Sequence, residues 1–206
     1  MRVVVCITGA SGVIYGVRLV KALHDLKHEV LTLVSREALE VMRYECLCVD
    51  RLIDMLRKWS SGLWLENELS SPLTSSSFLV DAVVVAPCSL KTLSDIASSR
   101  QGDLVSRAAC NALRMRRRVV LLIRETPLST QDIRNMLSAS EAGAVIMPAA
   151  PAFYQGVRGV EDIVNFIVGK VLDVLGVPNN LYRRWGAGTL TRETLPCAQL
   201  FCSEGS

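Results

Sequence analysis

The sequence predicts an α/β protein, a parallel sheet with helices on both faces. Five short apolar or β-branched runs alternate with amphipathic stretches of helical period. Those runs are apolar throughout rather than alternating, as in strands covered on both faces. The first run also ends in a small, glycine-rich turn that feeds directly into a helix, the arrangement found at the ligand-binding end of such sheets.

The elements follow in order. Arg2-Val3-Val4-Val5-Cys6-Ile7 is the first strand, and Thr8-Gly9-Ala10-Ser11-Gly12 is the turn. Val13 to Leu23 puts Val13, Val17, Val20 and Leu23 on one helical side and Arg18 and Lys21 on the other. Glu29 to Val34 is the second strand, ending at Ser35; helices follow over Arg36 to Tyr44 and Asp50 to Trp59. Ser60 to Ser77 is polar and serine-rich and is expected to be a long loop. Asp81 to Ala86 is a third strand ending at Pro87-Cys88-Ser89, followed by helices over Lys91 to Ser98 and Asp103 to Met115. Val119 to Ile123 is the fourth strand, and Ser129 is an N-cap for a helix to Ser138. Ala144 to Met147 is the fifth strand, and Val160 to Leu175 the last helix, stopped by Gly176 and Pro178.

Composition narrows the function. A chain of 206 residues, 50% hydrophobic, can bury one sizeable core, so one domain is expected over residues 1–185, with 186–206 as a C-terminal tail. A net charge of +3 is too mild to argue for nucleic acid. No apolar run reaches the ~18 residues of a membrane span, and the N-terminal run is too short for a signal peptide. The 7 cysteines are scattered without Cys-x-x-Cys, which reads as reduced thiols of a cytoplasmic protein.

The carboxyl ends of the strands collect a coherent set of groups: hydroxyls at Ser11, Ser35, Ser89 and Thr92, cations at Lys91 and Arg124, a carboxylate at Glu125 and a phenol at Tyr154. Gly9 and Gly12 allow close backbone approach, and the N–H groups opening the first helix complete an expected phosphate cradle. The Gly-x-x-Gly-x-x-x-Gly spacing is not the dinucleotide fingerprint. A second cationic group comprises Arg107, Arg114, Arg116, Arg117, Arg118 and Lys170. Cations at a helix end account for Arg116 to Arg118, whereas Arg107 sits mid-helix and needs an anionic partner, a ligand phosphate or a protein carboxylate. No metal-ligand cluster appears, and His24 and His28 flank a helix end. A short-chain reductase would need Tyr-x-x-x-Lys, which is absent. A flat anionic ligand such as flavin mononucleotide (FMN) fits better.

Four collinear motifs carry a family resemblance. Ile7 to Gly16 (Ile-Thr-Gly-Ala-Ser-Gly-Val-Ile-Tyr-Gly), Ala86-Pro87-Cys88-Ser89-Leu90-Lys91-Thr92-Leu93, Arg124-Glu125-Thr126-Pro127-Leu128 and Pro148-x-x-Pro151-Ala152-Phe153-Tyr154 resemble the flavin prenyltransferases, with Arg183-Arg184-Trp185 in support. The resemblance implies a flavodoxin-like three-layer α/β/α fold and a homododecamer. It implies transfer of a dimethylallyl group from dimethylallyl phosphate to N5 and C6 of reduced FMN, without a metal. The prenylated FMN would then serve a partner decarboxylase. Implied FMN contacts are Gly9, Ala10, Ser11, Ser35, Ser89, Leu90, Lys91, Thr92 and Arg124. Implied substrate-phosphate contacts are Tyr154 and Lys170, supported by Arg107 and Arg114. Ser11, Glu45 and Glu125 match active-site positions, and Arg107 is counted with them as catalytic. Arg114, Lys170, Ser76 and Cys110 depart from residues common in the family. Competing readings are an FMN-dependent decarboxylase of the phosphopantothenoylcysteine type, which uses a catalytic histidine, and a non-catalytic FMN carrier, which would not need the second cationic group.

Overall fold

The computed structural model describes residues 1–46, 48–186, 195 and 197. Most of the expected tail therefore lies outside the described residues, as does Cys202. Backbone packing divides the chain into two compact units, with the boundary after Ala149.

The first unit is built on one six-stranded sheet, β1 (Arg2–Ile7), β2 (Glu29–Val34), β3 (Gly62–Leu65), β4 (Ala82–Cys88), β5 (Arg118–Ile123) and β6 (Ala144–Pro148). All neighbours are parallel, in the order β3-β2-β1-β4-β5-β6. The chain builds outward from β1 to β3, returns to the other side of β1, and builds outward again to β6. β1 and β4 therefore flank the switch point, where the connections diverge and leave a crevice at the carboxyl ends.

The helices are α1 (Val13–Asp25), α2 (Arg36–Glu45), α3 (Val49–Trp59), α4 (Leu90–Ala97), α5 (Leu104–Arg114) and α6 (Thr130–Glu141). Alternate strand residues sort by face. Val4, Cys6, Val83, Val85, Val119 and Leu121 pack with Leu93, Ile96, Leu104, Val105 and Ala108 of α4 and α5. Val3, Val5 and Ile7 point the other way, are equally buried, and belong to the face on which α1 packs. Each fully buried valine or leucine contributes about 1.5–3 kcal/mol relative to exposure, so continuous apolar strands are the dominant stabilising feature. Gly16 lets α1 approach closely: a Cβ there would lie 2.2 Å from the Ala86 carbonyl oxygen and 2.7 Å from Ile7.

Two expectations change. The stretch 60–77 is not all loop, because Gly62–Leu65 pairs with β2 as an edge strand and Pro72–Thr74 forms a short 3₁₀ turn. Four half-exposed residues between serines carry too little periodicity to announce a strand. The β4 strand also runs past Ala86, through a cis peptide to Pro87, and ends at Cys88 after a register shift. Cys6 and Cys88 are buried, and burial pushes both thiols up, so neither offers a thiolate. No disulfide links the described cysteines, and no described helix is long and apolar enough to cross a membrane.

The second unit is centred on α7 (Val160–Leu175), closed by Gly176 in the left-handed conformation at φ 74°. Residues 179–185 fold back along this helix.

Candidate active site

Every residue expected to contact FMN lines one cleft at the carboxyl end of the sheet: Gly9, Ala10, Ser11, Ser35, Ser89, Leu90, Lys91, Thr92 and Arg124, joined by Glu125. It encloses about 710 Å³ including its open mouth. The floor is bolted at the switch point by Thr8. Its hydroxyl donates to the Pro87 carbonyl at 2.7 Å and accepts from the Ser89 N–H at 2.9 Å, tying the end of β1 to the start of α4.

Three helices begin around this cleft, and their first N–H groups are treated differently. At α1, Gly12 (φ 94°) makes the turn, and Glu45 caps the helix: its carboxylate accepts from the Gly12 N–H at 2.7 Å and the Val13 N–H at 3.1 Å. This corrects the expected cradle. The start of α1 is occupied by a protein carboxylate, and Glu45 sits there rather than in the cleft lining. At α2, Ser35 accepts from the Ala38 N–H and Glu66 accepts from the Arg36 N–H, both at 3.0 Å. At α4, only a neutral hydroxyl caps: Ser89 Oγ accepts from the Thr92 N–H at 3.2 Å. The N–H groups of Leu90 and Lys91 find no acceptor among the described residues. Among the described residues α4 is thus the one of the three whose first N–H groups meet no carboxylate, and its positive end remains available to an anion.

Side chains complete the electrostatics. Arg124 donates from Nε to the Ser11 carbonyl at 2.9 Å, which holds the glycine turn and leaves the rest of the guanidinium at the cleft. Lys91 Nζ lies 3.2 Å from Asp95 and 3.1 Å from Asp103. Burial works against its charge, but the hydrogen bonds it donates to Asp103 and Asp95 prevail and hold its pKa above the usual value. Lys91 is therefore a tethered cation with its charge largely answered. Glu125 accepts from the Thr126 N–H at 3.0 Å. Glu37 and Glu66 also line the cleft and were not foreseen. Burial pushes the Glu66 carboxyl up, although the Arg36 N–H pulls the other way. Glu66 was invisible in the sequence because it follows the unrecognised strand β3.

Within the first unit, Arg107 and Arg114 do not line this cleft. Arg114 is exposed at the end of α5, donates to Asn111 Oδ1 at 2.7 Å, and lines a separate hollow with Cys110. Arg107 lies one turn into α5 and is half-buried; its Nε is shielded from solvent and has no hydrogen-bond partner among the described residues. No ion pair to a protein carboxylate answers it among those residues, which leaves it open to an anion. Tyr154 and Lys170 belong to the second unit, on the segment after β6 and on α7. His24 and His28 do not line the cleft, and no described group of His, Cys, Asp and Glu could hold a metal.

A phosphate-bearing flavin fits what is present. The donors are two open N–H groups, the hydroxyls of Ser11, Ser89 and Thr92, and a guanidinium. Gly9 has no room for a side chain: a Cβ there would lie 2.2 Å from Glu37 Cβ.

Comparison with known proteins agrees. Residues 1–172 match the flavoprotein family. The flavin prenyltransferase UbiX of Methanocaldococcus jannaschii is 43% identical over 186 residues, covering 90% of this chain and 99% of that one. The structure of AnUbiX in complex with FMN and dimethylallyl pyrophosphate superposes with a TM-score of 0.86 at 38% identity, covering 91% of this chain and 98% of that one. A dodecameric FMN-dependent UbiX-like decarboxylase from Escherichia coli O157:H7 gives a TM-score of 0.85 at 35% identity, covering 90% and 99%. The sheet order, the cleft and these likenesses agree on a flavodoxin-like three-layer α/β/α fold, and the chain belongs to the flavin prenyltransferases.

Proposed function

We propose that this protein transfers a dimethylallyl group from dimethylallyl phosphate to reduced FMN, and that the prenylated FMN passes to a partner decarboxylase. The observation that carries this reading is the existence of two separate calls for an anion. One is the uncapped start of α4 in the cleft, and the other is the partnerless Nε of Arg107. A carrier of FMN needs only the first. A decarboxylase of the phosphopantothenoylcysteine type needs a histidine, and neither His24 nor His28 lines the cleft.

When bound, reduced FMN supplies the nucleophilic N5 and C6. In this reading α4, Ser89, Thr92 and Arg124 hold its phosphate, and Gly9, Ala10, Ser11, Ser35, Leu90 and Lys91 line its seat. Tyr154, Lys170, Arg107 and Arg114 hold the donor's phosphate and stabilise the charge it gains as the allylic C–O bond breaks. Cations from the protein make a metal unnecessary for that charge. Holding the two partners together converts a two-body step into a positioned one. Glu125, whose carboxylate reaches the cleft, accepts the proton lost when the second bond closes. Glu45 acts by fixing the turn that carries Ser11. The reading extends to a homododecamer in the cytoplasm, supported by the dodecameric relative and the free cysteines.

Anaerobic incubation with reduced FMN and dimethylallyl phosphate, followed by mass spectrometry of the released flavin, tests it. A gain of one five-carbon prenyl unit is expected. Unmodified flavin with both the monophosphate and the diphosphate would overturn the reading.

A further inference from the structure

The Arg183-Arg184-Trp185 motif has no part in the chemistry above, yet the second unit is tied together around Arg184. Asp173, in the last turn of α7, receives three side chains of the returning segment. Arg184 donates to it through Nη1 at 3.0 Å and Nη2 at 2.8 Å, Tyr182 Oη at 2.5 Å and Asn179 Nδ2 at 3.0 Å. Asn179 Nδ2 also reaches the Gly169 carbonyl at 3.3 Å. The Tyr182 ring lies where a side chain at 169 would stand, because a Cβ on Gly169 would be 2.4 Å from Tyr182 Cδ1. Phe166, Gly169, Lys170 and Asp173 fall at helical spacing on one stripe of α7. The segment is therefore latched along the stripe that carries Lys170.

The latch ends on Tyr154 by two routes. Tyr182 packs edge-on against Phe166 at 5.0 Å between centroids, and Phe166 packs edge-on against Tyr154 at 6.3 Å. Trp185, next to Arg184, meets the Tyr154 ring edge-on at 4.9 Å. We propose that Asp173 is a positioning residue for Tyr154: by latching residues 179–185 onto α7, it fixes Trp185, which packs on the Tyr154 ring, and Tyr182, which backs Phe166 against it. This rests on the proposed role of Tyr154 in holding the donor phosphate. The carboxylate is partly buried, which disfavours its charge, but hydrogen bonds from Arg184 and Tyr182 prevail and keep it ionised below the usual range. In turn burial and Asp173 push the Tyr182 phenol up to about 12, so the Tyr182–Asp173 bond keeps its proton at working pH.

The test combines hydrogen exchange with a mutant cycle on the full-length protein. Asp173→Asn is expected to speed exchange over residues 179–186. It should also raise KM for dimethylallyl phosphate about tenfold with little change in FMN affinity. Asp173→Glu should restore most of the loss. In a Tyr154→Phe background Asp173→Asn should cost almost nothing further, because both changes act on one ring. Arg184→Met, which breaks the same pair from its exposed side, guards against misfolding and should reproduce the effect in weaker form. A loss that persists in full in the Tyr154→Phe background would overturn the positioning role. Unchanged exchange in Asp173→Asn, with Tyr154→Phe impaired, would sink the latch alone. A fully active Tyr154→Phe would sink the phosphate role of Tyr154 and the positioning role with it.

Discussion

The helices α1 and α4 start side by side, at the ends of the adjacent strands β1 and β4, and present the same backbone chemistry. Their fates differ. The Gly12 and Val13 N–H groups at the start of α1 are taken by the carboxyl group of Glu45, from the end of α2. At α4 the cap is the Ser89 hydroxyl, and the Leu90 and Lys91 N–H groups stay open. A helix start attracts anions whatever its sequence. Whether it binds a ligand depends on whether the protein has already placed a carboxylate there. The tethering of Lys91 by Asp95 and Asp103 sharpens the point, since the cleft's anion site then depends on α4 and Arg124 rather than on the lysine.

The largest test breaks the frame that sets the two helices side by side. Gly16→Val drives atoms into the Ala86 carbonyl and Ile7. It should cost about 3 kcal/mol and lower Tm by roughly 6–12 °C in calorimetry. A Tm within a degree of the parent would show that α1 can retreat from the sheet.

The contrast itself is tested next. Arg124→Met should weaken FMN binding by about tenfold or more, a loss near 1.4 kcal/mol, and Ser89→Ala by somewhat less through the lost cap. Equilibrium titration of bound-flavin fluorescence reads both. Unaltered affinity in both variants would move the phosphate away from α4.

Glu45→Ala probes the filled helix start. Loss of the cap should cost about 1 kcal/mol and about 2–4 °C in Tm. Added inorganic phosphate should then stabilise the variant more than the parent, because it can take the vacated site. An equal gain in both proteins would mean that Glu45 does not fill the α1 start in solution.

The smallest effect concerns Glu66. Burial raises its carboxyl above the ordinary 4.5, so the folded protein holds this proton more tightly than the unfolded chain. Its contribution is fully present below the unfolded value and is lost as pH rises through the folded value. A Tm-against-pH profile should therefore show a small decline just above pH 4.5 in the parent that is absent in Glu66→Gln. Parallel profiles would place Glu66 in free solvent.

Much of this was legible in the sequence. The five long strands announced themselves as continuous apolar runs, and the helices by period. Ser129 caps α6 as the sequence places it, and Ser35 and Ser89, which the sequence marks as strand ends, prove to cap α2 and α4. The cleft residues were legible because strand ends in a parallel sheet converge whatever the details of packing. The strand β3 was not, since an edge strand of four residues buries too little to impose a pattern. Glu66 was lost with it. Arg107 was half-legible: its place among apolar neighbours called for an anion, but only the structure shows its Nε shielded and partnerless among the described residues.

By itself the sequence determined what depends on neighbours along the chain. That includes the helices, the five long strands, the serine cap of α6 and the small residues that form the turn after β1. Only the tertiary structure decided which helix start is filled, which cation is tethered, and which carboxylate latches the returning segment to α7. Every helix begins with the same unpaired N–H groups, so the local sequence cannot distinguish one from another. The acceptor that does so at α1 comes from a residue 33 positions further along the chain, and packing alone brings it there.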